Sequence, residues 1–143
     1  MQYLYQLDRH LKNAGLDEKN VEKLQSMGAY KILSKMLMED EIPQFACAVD
    51  LWEAGGKEYS FKGSLVTGTI MLLSDKRIII VSKSPTSILT GPSTFSIGYT
   101  KIDNIYQKTD SSIAIESVSG KYRVSATTKE INRVIEIINS KIY

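Results

Sequence analysis

Apolar positions recur along this chain at changing intervals, and the changes divide it into parts. From residue 1 to residue 42 the interval is helical. Tyr3, Leu4, Leu7 and Leu11 fall on one face of a first helix. Gly15 predicts its stop. Asp17 is a suitable N-cap for a second helix, with Leu16 and Val21 in the two positions of a hydrophobic staple. Val21, Leu24 and Met27 continue that helix's stripe until Gly28 interrupts it. Tyr30, Ile32, Leu33, Met36 and Leu37 predict a further helix, stopped by Glu39-Asp40-Glu41 and Pro43. Two or three short helices are expected.

At Phe45 the period becomes two. Phe45, Cys47, Val49 and Leu51 alternate with Ala46, Ala48, Asp50 and Trp52, which predicts a first strand. The polar stretch 53–63, with Gly55-Gly56, Lys57 and Lys62, predicts a loop and a short strand at Lys57–Phe61. Two apolar strands, about Leu65–Leu73 and Arg77–Val81, flank the turn Ser74-Asp75-Lys76. Ser82–Thr94 holds Pro85 and Pro92 and predicts a long loop, of the length that tends to be functional or mobile. Phe95, Ile97 and Tyr99 alternate as a further strand. Ile105–Lys108 and Ser112–Glu116 surround a turn at Asp110-Ser111, and Ser119-Gly120 turns into a last strand, Tyr122–Ala126. The chain closes with a helix. Thr127 and Glu130 form a capping box and Ala126 and Ile131 a staple. Ile131, Val134, Ile135, Ile138 and Ile142 form one stripe, in which Ile135 and Ile138 are expected to be buried. This order of parts predicts an α+β fold: an antiparallel barrel of about seven strands, sealed by the last helix.

The chain of 143 residues is long enough to bury a core without staples. A net charge of +2 is too small to point to nucleic acid or an anionic membrane as the main partner. Residues 1–43 hold 6 basic and 7 acidic side chains, and residues 44–143 hold 12 and 9, so the barrel is mildly basic. Cys47 is the only cysteine, which excludes an internal disulfide and fits a reducing compartment. The first residues lack a signal-peptide pattern and neither end carries a lipidation motif. The longest apolar runs, Ile70–Leu73 and Ile78–Val81, fall far short of the roughly 20 residues of a membrane span. A cytoplasmic protein is expected.

The hairpin Gly68–Ile80, the segment Phe95–Ile105 and the closing helix together resemble the short bacterial pleckstrin-homology-like (PH-like) domains. In that family a glycine leads an apolar strand, and a Thr/Ser-Asp/Asn-Lys-Arg turn leads the next, as Gly68 and Ser74-Asp75-Lys76-Arg77 do here. The segment Phe95-Ser96-Ile97-Gly98-Tyr99 matches its aromatic strand, and Ile102 and Ile105 its two isoleucines three apart. The resemblance spans about Glu41 to Lys141. It implies two nearly orthogonal antiparallel sheets with a helix over one open end, and a non-enzymatic binding or assembly module. It divides the chain into a helical extension, 1–42, and a PH-like domain, 43–143. A small bacterial or phage adaptor, or an inhibitor of a host protein, follows by analogy.

Catalysis is not expected. His10, the only histidine, has no nucleophile or carboxylate arranged around it in the sequence, and Cys47 sits in an apolar alternation as a buried thiol would. One histidine and one cysteine do not make a zinc site, and Gly55-Gly56-Lys57 lacks the remainder of a phosphate loop. No cofactor or metal is implied. The expected partner is a protein or a second copy of the chain, with no nucleic acid and no membrane contact. The candidate interface comprises Tyr3, Leu4, Leu7 and Leu11 on the first helix, whose apolar face must pack on its own barrel or on another molecule, with Ile88 and Leu89 of the long loop. The alternative is an anionic ligand or lipid headgroup bound through the basic first barrel loop. It would use Lys57 and Lys62, with Lys76 and Arg77 at the hairpin tip as further candidate anion-binding residues. At the tip, charges that protect a strand edge are the simpler reading.

Overall fold

The computed structural model describes residues 2–53, 57–59, 68–83 and 93–142, with side chains for 7–52, 68–83 and 93–142. Three helices come first: α1 (Gln2–Asn13), α2 (Glu18–Gln25) and α3 (Gly28–Met36). The strands are β1 (Pro43–Ala48), β2 (Asp50–Glu53), β3 (Lys57–Tyr59), β4 (Gly68–Ser74), β5 (Arg77–Lys83), β6 (Ser93–Gly98), β7 (Ile102–Thr109), β8 (Ser112–Ser117) and β9 (Gly120–Ser125). A 3₁₀ turn at Tyr99–Lys101 joins β6 to β7, and α4 (Thr128–Ile142) ends the chain.

The strands form two antiparallel sheets, one of four in the order β1-β4-β5-β6 and one of five in the order β3-β2-β9-β8-β7. The single first strand expected over 45–52 is two. At Val49 the chain leaves the first sheet and enters the second, so β1 pairs with β4 while β2 pairs with β9. Tyr99, expected in a strand, starts the 3₁₀ turn and is buried there.

The core between the sheets is filled from both. Met71, Leu73, Ile78 and Ile80 face Ile113, Ile115, Tyr122 and Val124. Helix α4 closes this core with Ile131, Val134, Ile137 and Ile138. Ile138 is buried as expected, but Ile135 is only half-buried, because the buried stripe extends toward Ile137. The capping box forms: Glu130 N–H donates to Thr127 Oγ1 at 3.2 Å, and Thr127 N–H donates to Glu130 Oε1 at 3.2 Å.

A second core lies on the outer side of the four-stranded sheet. Ala46, Ile70, Leu72, Ile79 and Val81 project there and meet Leu7, Leu11, Val21, Leu24, Tyr30 and Leu33 of the helices. β4 and β5 are therefore buried on both faces, which is why they read as unbroken apolar runs. Local signals place the helices. Gly15, at φ 106°, ends α1 as a Schellman turn. Its N–H donates to Lys12 C=O at 3.1 Å, and Leu16 N–H donates to Leu11 C=O at 3.1 Å. Asp17 caps α2 by accepting from Asn20 N–H at 2.8 Å. The staple residues Leu16 and Val21 both enter the second core. The Tyr30 hydroxyl donates to Asp8 Oδ1 and ties α3 to α1.

Candidate functional site

The hairpin tip between β4 and β5 holds buried Ser74, and the residues after α3, with buried Glu41 among them, wrap around it. Arg77 donates from Nε to Glu41 Oε2 at 2.9 Å and from Nη2 to Glu41 Oε1 at 3.0 Å. Nη2 also donates to Met36 C=O at 2.8 Å. Ser74 Oγ donates to Glu41 Oε2 at 2.5 Å, and accepts from the backbone N–H groups of Lys76 and Arg77, each at 3.1 Å. Tyr99 Oη donates to Ser74 C=O at 2.7 Å. Asp75 accepts from Ile42 N–H at 2.8 Å and returns its own N–H to Ile42 C=O at 3.0 Å. Outside this group, Lys76 Nζ meets Asp40 Oδ2 at 2.5 Å.

The Glu41 side chain is wholly buried. Burial alone would raise its pKa. The hydrogen bonds from Arg77 and Ser74, with the Met38 N–H and the Arg77 charge, outweigh burial and hold it below the ordinary glutamate value. The Tyr99 hydroxyl is pushed up by burial and by the nearby Asp75 and Glu41 carboxylates. In this cluster every charge has an internal partner. Lys76 and Arg77, expected as anion-binding candidates, are neutralised by Asp40 and Glu41, so the tip clamps the helical layer to the sheet and offers no free cation pair. Glu39-Asp40-Glu41, read as a helix stop, supplies both partners. Nothing local in the sequence pairs Glu41 with a residue 36 positions away.

The remaining candidates are placed as follows. Leu7 and Leu11 have 0% exposure, packed into the chain's own second core. For these two the expectation of an interface is corrected: Leu7 and Leu11 pack in the same core as Ile70, Leu72, Ile79 and Val81 of the chain's own sheet, which need that cover. Tyr3 and Leu4 lie on α1, but their side chains are outside the described residues, as are Ile88, Leu89 and Lys62 altogether. Lys57 opens β3, and its side chain is also outside them. Cys47 is buried, and burial pushes its thiol well above the ordinary cysteine value. The described residues hold no group of three or more side chains suited to a metal ion.

Two surfaces stand out among the described residues. One is the outer face of the five-stranded sheet, crossed by the row Trp52, Arg123, Ala114 and Tyr106 in adjacent register. The Arg123 guanidinium lies over the Trp52 ring at 4.6 Å, and Lys108 over the Tyr106 ring at 5.3 Å. The other is the free side of β1, which pairs with β4 alone. A groove of about 450 Å³ runs along it, walled by α2 with the turn before it and by the first two turns of α4. Phe45, Ala46, Cys47 and Ala48 all line this groove. Successive strand residues point to opposite faces, so four in a row meet one groove only from the strand's edge. Strand order is invisible in the sequence, and β1 was not distinguishable there as an edge.

No family model and no curated protein matches the sequence. Solved structures do match in fold. The Vps36 N-terminal PH domain superposes with a TM-score of 0.52 at 12% identity, over 75% of this chain and 83% of that one. The linker-DH/PH domains of p115-RhoGEF give 0.52 at 8% identity, over 86% of this chain and 40% of that one. A pleckstrin-homology domain protein from Shewanella loihica gives 0.48 at 14% identity, over 79% of this chain and 92% of that one. The first two, with the two sheets and the closing helix, define the fold as PH-like.

Proposed function

We propose that this chain is a non-enzymatic protein–protein interaction or assembly module, a small adaptor or an inhibitor of another protein. The observation that carries the reading is the open edge of β1. Among the described residues, it presents backbone hydrogen-bonding groups that no other segment takes up. Such an edge recognises polypeptide by its chemistry. The charged hairpin tip points the same way, since Lys76 and Arg77 are already paired and leave no cation cluster there for a headgroup. Bacterial or phage origin enters this reading only through the resemblance of the sequence motifs.

The test compares two partners. The full chain is used as bait in lysate, and each captured protein is then purified and titrated against it by calorimetry. In parallel the chain is sedimented with phosphatidylserine vesicles. A defined protein binding with fixed stoichiometry, and no vesicle binding, is the expected result. Vesicle binding lost on Lys57→Ala with Lys62→Ala, and no protein complex, would replace this reading with headgroup recognition.

A further inference from the structure

We draw no further inference here: the strongest candidate, the groove beside β1 between α2 and α4, is lined by Asp17, Glu130 and Glu136 as well as by Lys23, Lys129 and Arg133, so its charges balance and nothing in the structure shows what covers it.

Discussion

Leu72 and Leu73 are neighbours on β4 and both are fully buried, whereas on β9 Arg123 is exposed between buried Tyr122 and Val124. The difference belongs to the sheets. The four-stranded sheet has a core on each side: Leu73 enters the barrel, and Leu72 enters the layer beneath the N-terminal helices. The five-stranded sheet has one core, and its other face meets solvent through Trp52, Arg123 and Tyr106. Among the described residues, the same barrel is thus sealed on one side by its own chain and left bare on the other. The helices belong to the structure of the first sheet, and this moves the search for a partner away from α1.

The largest test of that asymmetry is removal of residues 1–42. It would uncover Ile70, Leu72, Ile79 and Val81. At about 1.5–3 kcal/mol each, exposing them costs about 6–12 kcal/mol, which matches the whole stability of a domain at about 5–15 kcal/mol. The truncated chain is expected to be aggregated or unfolded by circular dichroism and sedimentation. A monomeric barrel with a cooperative melt would show that the helices are an appendage.

Cutting the clamp between the helical layer and the sheet comes next. Arg77→Ala leaves Glu41 buried without its cation, an expected loss of about 3–5 kcal/mol in denaturant titration. The pH dependence has a definite sign. The folded Glu41 carboxyl titrates below its ordinary value of 4.5, so its contribution is full above that value and is lost as pH falls through the folded pKa. The stability gap between the parent and Glu41→Gln is expected to be widest near neutrality and to narrow below about pH 4. A gap that stays constant down to pH 2 would mean that the ionised pair does not hold the clamp.

Leu72→Ala and Leu73→Ala sharpen the comparison within one strand. Both are expected to cost about 2–5 kcal/mol, although they point in opposite directions. If Leu72→Ala is nearly neutral, the second core is not packed. The smallest effect is expected on the bare face, where Arg123→Ala loses a ring contact worth about 0.5–1 kcal/mol. A loss as large as that of Leu72→Ala would show this face to be covered as well.

Much of this architecture is local and was legible. Asp17, Gly15 and the pair Thr127 and Glu130 act within a few residues of themselves, so the ends of α1, α2 and α4 follow from short-range hydrogen bonding alone. The strands from β4 onward follow from apolar runs and turns in the same way. One further signal was present: β4 and β5 do not alternate, and a strand apolar on both faces requires cover on both. That pointed to the N-terminal helices as the cover, whereas the helices alone left their own barrel and a second molecule equally open.

Other features depend on pairings between distant residues, and those only the tertiary structure decided. Glu41 and Arg77 carry no mark of their bond, because each is an ordinary charged residue beside an ordinary turn. Val49 continues an unbroken alternation, yet the chain changes sheets there, since closing the barrel needs β1 on β4 and β2 on β9. The edge position of β1 is a property of strand order, which the spacing of apolar residues does not encode. The periodicity of the chain determined which faces had to be buried. Which segment buries each face, and which strands lie at the sheet edges, was decided by how the sheets, helices and turns pack together, because burial is non-directional and only packing and hydrogen-bond geometry choose among the surfaces that satisfy it.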